Sequence, residues 1–215
     1  AWLDTFDKTK LVWEETMKFP KEKVRIIQIV NSHKKNRDYR AIIMMKEDIM
    51  KQIEELQDTK VVDDLMMSMF YLNRYDELII LGEELNKKEY ESWRELYYLL
   101  LACLGNSDIF YGMSIIKRSK ILSDAKIKEF YRDDGSNYLN IGFTNELKTI
   151  EKLVLILVNF IEGIIVITQN KFVVDKEFLA IRILEMLDTL YELGSPEELI
   201  EELTDKIKLM FFREV

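Results

Sequence analysis

Histidine and cysteine, the side chains that most often act as bases, nucleophiles and zinc ligands, occur once each in this sequence, as His33 and Cys103. One residue of each type cannot form a His-rich zinc site or a His/Cys cluster. A Cys103–His33 nucleophile pair stays open as an alternative, but Cys103 lies in the apolar run 99–104, where a small cysteine is typically buried. We therefore predict no catalytic residue, no metal site and no cofactor.

Neighbouring acidic residues are frequent, and paired carboxylates could in principle share a proton or a metal ion. Adjacent residues of a helix point about 100° apart, however, which makes such pairs poor ligands for one ion. Glu162 differs because it lies in an apolar stretch, where burial would raise its pKa unless a cation pairs with it. We predict a structural ion pair there, with Arg182 of the following helix as the candidate partner.

Charge and apolar content limit the classes of partner. The 215 residues carry 31 Lys and Arg against 39 Asp and Glu, a net charge of −8, so the chain as a whole is not expected to bind a phosphate backbone directly. The most apolar stretch, 150–167, contains Glu151, Lys152 and Glu162, which argues against a membrane span. Because no internal disulfide and no signal segment are indicated, a cytoplasmic protein is predicted.

The elements that must position any site are predicted to be helices. Hydrophobic periodicity, with only 7 Gly and 2 Pro, predicts an all-α protein of about nine antiparallel helices. Nine of the predicted segments cover 21–34, 38–57, 61–72, 75–87, 89–104, 107–122, 144–168, 175–193 and 196–212. Two further segments are placed at 4–18 and 123–131. The Val- and Ile-rich stretch 152–174 would also suit a two-stranded hairpin, but its length favours a helix.

Local signals mark two helix starts and one domain boundary. Asp175 is predicted to cap one helix, and Ser195-Pro196-Glu197-Glu198 reads as a capping box, with the serine as N-cap and Pro196 as the first helical residue. The helical pattern breaks over 133–143. We therefore predict a helical-repeat region at 1–132 and a C-terminal three-helix region at 144–215.

The first half of the chain matches itself. Residues 38–49 align with 74–85 at an offset of 36, and the preceding helices also match, with a third copy at a further offset of 31. The aligned positions of the three first helices are Ile26, Ile29, Val30 and His33; Val62, Leu65, Met66 and Met69; and Trp93, Leu96, Tyr97 and Leu100. Each set has the spacing of one helix face. We predict that Ile26, Ile29, Val62, Leu65, Trp93 and Leu96 share one core.

Helix pairs at these steps over residues 23–120 resemble the tetratricopeptide repeat, whose period is 34. Trp93 and Leu96 match two positions of that motif, whereas its small residue is replaced by Val30, Met66 and Tyr97. The resemblance implies a stack whose first helices line a concave face. A similar array forms the sensor part of peptide-receptor transcription regulators, after an N-terminal DNA-binding helix-turn-helix.

In the register that the resemblance implies, the fifth, ninth and twelfth positions of each first helix face the concave side. We predict a groove there for a peptide or protein segment, because amides suit backbone groups, aromatic rings form side-chain pockets and Arg94 can hold a carboxylate with its planar fork. The predicted ligand-binding residues are Asn31, Lys34, Met67, Phe70, Arg94 and Tyr98. The alternative is that the aromatic members belong to the core.

The leading hypothesis is therefore a non-enzymatic scaffold that binds a peptide or protein segment. Two alternatives stay open: the sensor domain of a larger transcription regulator, whose DNA-binding head would precede Ala1, and a helical enzyme that uses scattered carboxylates. The helix 144–168 is apolar almost all round, and the next helix carries Phe178, Ile181, Leu184 and Leu187 on one side. Because such surfaces must be covered, we predict a homodimer through residues 144–215.

Overall fold

A computed structural model of the chain describes residues 18–56, 60–125, 141–170 and 175–211. Helices dominate these ranges, and no strand occurs in them, which confirms the predicted all-α class. The hairpin alternative fails because 152–170 lies inside one helix. Nearly all of the segment 4–18, most of 123–131 and most of the break 133–143 lie outside the described residues.

The helices are numbered here in chain order. They are α1 (Lys18–Lys35), α2 (Tyr39–Met44), α3 (Lys46–Leu56), α4 (Lys60–Tyr71), α5 (Tyr75–Lys87), α6 (Trp93–Gly105), α7 (Ile109–Arg118), α8 (Ile141–Asn170), α9 (Lys176–Glu192) and α10 (Glu197–Phe211). Residues 120–125 are also helical.

The chain divides into two compact units, Ala1–Arg74 and Tyr75–Val215. This division falls within the predicted repeat region. The domain boundary predicted between 132 and 144 lies mainly on residues outside the described ranges, and it stays a prediction.

In the first unit, α4 packs against α1, α2 and α3. Buried Val30, Ile42, Val62 and Leu65 form the centre of this unit, each at most 1 % exposed. The single helix predicted over 38–57 is wrong, because α2 and α3 are separated at Met45, whose N–H bonds to the carbonyl of Ile42. This three-residue bond tightens the end of α2, and no Gly or Pro marks it in the sequence.

In the second unit, α6 packs against α5, α7 and α8. The Leu104 side chain lies against Gly163, and Lys152 lies over the ring of Trp93. Both contacts join α6 to α8 at the same sequence offset, so these two helices run parallel. Further along, α8 packs against α9 and α10, and α9 packs against α10. This order of contacts is compatible with a helical-repeat architecture.

Side-chain caps fix several helix starts. Asp175 is confirmed as an N-cap, since its carboxylate accepts from the N–H of Phe178 at 2.9 Å. The predicted capping box is wrong: α10 begins at Glu197, the carbonyl of Pro196 accepts from Leu199, and the Ser195 hydroxyl has no partner among the described residues.

Two predicted helices are shorter than expected. The helix predicted from Glu89 begins at Trp93, because Glu89 is in the left-handed region (φ 56°) and Ser92 supplies the cap. The helix predicted over 107–122 ends at Arg118, because Ser119 is extended. The Glu91 carboxylate accepts hydrogen bonds from the backbone N–H groups of Lys120 and Ile121, at 3.1 and 3.0 Å, and so caps the helical segment 120–125.

Candidate functional site

The predicted groove residues of the first unit lie on α1 and α4. Asn31 is exposed, whereas Met67 and Phe70 are half-buried. The ammonium of Lys34 lies 3.0 Å from the carboxylate of Asp64, whose side chain is only 6 % exposed. Lys34 therefore already forms an ion pair within the protein, whether or not it also contacts a ligand. The predicted groove draws on both units, and its continuity stays a prediction.

Replacing Lys34 with alanine should lower the free energy of unfolding by about 1–3 kcal/mol, because the buried Asp64 carboxylate would lose its charged hydrogen-bond donor. Urea unfolding followed by circular dichroism measures this loss. The matched control is Lys35→Ala, since Lys35 is an exposed cation in the same last turn of α1. Equal losses in both variants would mean that the ion pair with Asp64 does not stabilise the unit.

The predicted core is only partly correct. Val62, Leu65 and Leu96 are buried, at most 2 % exposed. Ile26 and Ile29 are half-buried, because they border an open recess of about 390 Å³ between α1 and α3. Trp93 is also half-buried, and its ring faces charged groups as well as the protein interior.

Two cations lie over the ring of Trp93, and we call these three residues the Trp93 platform. The guanidinium carbon of Arg94 is 5.0 Å from the ring centroid, and the ammonium nitrogen of Lys152 is 4.2 Å from it. Lys152 comes from α8 and is brought to α6 by the parallel packing of the two helices. Among the side chains that the structure describes, neither cation has a carboxylate partner. The platform therefore presents positive charge on a protein whose net charge is −8.

The surface beside the platform is closely packed. The Tyr97 and Tyr98 rings lie 5.1 Å apart and edge to face. Between α6 and α8, next to Tyr97 and Leu101, the remaining recess holds only about 10 Å³. That volume is at the lower limit for one water molecule. A ligand at the platform would therefore lie on the surface of these helices rather than in a pocket between them.

A larger cleft of about 360 Å³ lies in the second unit, bordered by α7, by 120–125 and by α9. Phe110 and Phe178 contact each other across it, with ring centroids 5.4 Å apart, and Met113 and Met186 also line it. Sequence reasoning missed this cleft because Phe110 lies outside the aligned positions of the first helices. The signal that the sequence did offer is Phe110 itself, a large aromatic residue near the start of the predicted helix 107–122.

The partner predicted for Glu162 is wrong. Glu162 accepts from the ammonium of Lys206 on α10 at 3.2 Å, and both side chains are over 40 % exposed. Arg182 instead pairs with Glu185, one turn along its own helix, at 2.9 Å. The hydrogen bond from Lys206 to Glu162 raises the pKa of that lysine. The pair is thus a surface link between α8 and α10.

Cys103 is fully buried, and burial raises the pKa of its thiol to about 12. A thiol with that pKa supplies almost no thiolate at neutral pH, which argues against a cysteine nucleophile. His33, which lies on α1, is half-buried. In the described part of the chain, no group of three or more His, Cys, Asp or Glu side chains is arranged to hold a metal ion. None of the described helices is long and apolar enough to cross a membrane.

Comparison with known proteins adds no relative. No family model, no curated protein and no solved structure matches this chain. The packing order of the helices is compatible with a helical-repeat architecture, and the resemblance to tetratricopeptide repeats stays a prediction from the sequence spacing. The regulator and enzyme alternatives, the cytoplasmic location and the homodimer stay predictions.

Proposed function

We propose that this chain is a non-enzymatic helical scaffold that binds a peptide or protein segment and recognises a carboxylate of that segment. The observation that carries the proposal is the Trp93 platform, where Arg94 and Lys152 share one aromatic ring. Tyr98, one turn after Arg94 on α6, is half-buried and offers an aromatic surface beside it. An anionic group together with an apolar side chain would match this combination.

Contact with the ring restrains the two cations without neutralising them. A cation that lies over an aromatic face can still direct N–H groups away from the ring, where a ligand oxygen can accept hydrogen bonds from them. The guanidinium of Arg94 can donate two parallel hydrogen bonds to one carboxylate, while Lys152 adds a point charge. Because side chains that are already restrained lose less entropy on binding, this arrangement favours an anionic ligand.

The test uses a library of short peptides, each made with a free C-terminal carboxylate and as the C-terminal amide. A peptide that binds through the platform should lose about 10- to 100-fold in affinity when Arg94 is replaced by alanine, as expected for a hydrogen bond to a charged group. The amidated form should bind the wild type more weakly and should respond little to the same replacement. Fluorescence anisotropy or calorimetry measures both effects.

Arg118→Ala is the matched control, because Arg118 also lies over an aromatic ring, that of Tyr111, at 5.8 Å. It should leave peptide affinity unchanged. Circular dichroism should show that both variants keep the fold, since Arg94 and Arg118 are outside the buried core. If every binding peptide bound wild type and Arg94→Ala equally, the carboxylate site would have to be abandoned.

A further inference from the structure

The helix α9 exposes an apolar stripe that the described residues leave uncovered. Phe178, Ile181, Leu184 and Tyr191 are 41, 56, 49 and 73 % exposed, respectively. At 100° per residue these four side chains fall on one half of the helix surface. Leu187, which the sequence placed on the same side, is instead buried at 5 % exposure. A cluster of large apolar side chains in solvent marks an interaction surface.

Acidic residues are interleaved with this stripe. Glu177, Glu185 and Asp188 are exposed, and their positions in the helical turn fall between those of the apolar residues. α9 carries two cations: Lys176 at its start, and Arg182, which is paired with Glu185 and lies over the Phe178 ring. The exposed face of α9 thus combines apolar side chains with a net negative charge.

This charge pattern discriminates between two occupants. A second copy of the chain would present the same patch across a two-fold axis and would place three carboxylates from each copy in one interface. Like charges facing each other across an interface are unfavourable. A helix with apolar residues on one side and Lys or Arg along its flanks would cover the stripe and neutralise the acids. We propose that α9 is the docking surface for a basic amphipathic helix of a partner protein.

The cleft between α7 and α9 extends this surface. Phe178 belongs to both the stripe and the cleft wall, so the cleft opens at the edge of the stripe. Its volume of about 360 Å³ exceeds that of one bulky side chain, and its walls include Phe110, Met113 and Met186. An aromatic or leucine side chain of the partner helix could therefore insert there while the rest of the helix lies along α9.

The test uses the full chain and two labelled peptides of 18 residues with the same leucine positions, i, i+3, i+4 and i+7, and with either Lys or Glu at the remaining positions. Fluorescence anisotropy should show that the Lys peptide binds at least about tenfold more tightly than the Glu peptide. The double variant Ile181→Ser/Leu184→Ser should weaken binding of the Lys peptide by about tenfold or more. Asp188→Asn should weaken it less and reduce its dependence on salt.

A Lys-rich peptide can bind to many acidic surfaces through charge alone. The double serine variant tests for specific docking on the stripe, because it removes apolar side chains and keeps the charge of the protein. Ile80→Ser is the matched control, since Ile80 is 53 % exposed on α5. Equal loss in the control and the double variant, or equal affinity for the two peptides, would overturn the proposal. The proposal would also be overturned if sedimentation showed that the wild type is a dimer and the double serine variant is a monomer, because the stripe would then bind a second copy of the chain. Arg94→Ala should leave binding of the Lys peptide unchanged, which would distinguish docking on α9 from binding at the Trp93 platform.

Discussion

Replacing Phe160 with alanine should destabilise the protein by about 3–5 kcal/mol, the range for removing a fully buried aromatic side chain. Phe160 is 1 % exposed on α8 and packs against Gly112 of α7. A Cβ atom added at Gly112 would come within 2.5 Å of the Phe160 ring, so ring and glycine fit each other closely. The alanine variant would leave a cavity that neighbouring helices can fill only in part. Urea unfolding followed by circular dichroism measures the loss.

Phe110→Ala is the matched control for Phe160, because Phe110 is 46 % exposed on α7. Its removal costs one ring contact with Phe178 and should lower stability by about 1 kcal/mol or less. Similar losses for the two phenylalanines would contradict the packing of α7 against α8 through Gly112.

The thiol of Cys103 should react with iodoacetamide about a thousandfold more slowly in the folded protein than in urea at pH 8, from its pKa alone. Burial, with a smaller contribution from Asp108, raises the pKa of this thiol from 9.0 to about 12. Since the thiolate is the reacting species, the folded protein holds very little of it at pH 8. Mass spectrometry of alkylated protein gives both rates on one chain, because Cys103 is the single cysteine.

The same raised pKa makes stability depend on pH in one direction. Below pH 9 the thiol is protonated in both the folded and the unfolded chain, so its contribution is fully present. As the pH rises from 9 towards 12, the unfolded chain releases its proton first, and the free energy of unfolding falls. In the Cys103→Ala variant, the free energy of unfolding should therefore fall less between pH 9 and pH 12 than in the wild type. A wild type that alkylates equally fast with and without urea would contradict the buried thiol.

The helical class could be predicted from the sequence because it depends on neighbours along the chain. The bounds of α5, Tyr75–Lys87, agree with the periodic segment, and the Asp175 cap is formed as expected. Both features involve residues within four positions of each other, for which sequence spacing already fixes spatial proximity. The break at Met45 escaped prediction because it arises from one hydrogen bond that spans three residues instead of four, and no turn-forming residue accompanies it.

The candidate site was predictable only in part. The repeat alignment selected Arg94, but Lys152, which is 58 positions away, could join it only after α6 and α8 had packed in parallel. Glu162 shows the same limit: Arg182 was the nearer cation in sequence, yet Lys206 lies within hydrogen-bond distance. Pairs of this kind depend on the rotation and register of two helices, which neither helix encodes by itself.

The sequence by itself determined which segments are helical and which helix faces carry apolar residues, because both follow from 3.6-residue periodicity and local caps. Only the tertiary structure decided how much of each apolar face is covered. On α9 it buries Leu187 and leaves Ile181 and Leu184 in solvent, although all three are equally apolar. The reason is geometric: neighbouring helices contact only a limited arc of a helix surface, and their position decides which part of that surface stays exposed. On α9 that exposed part is the surface that we propose a partner helix covers.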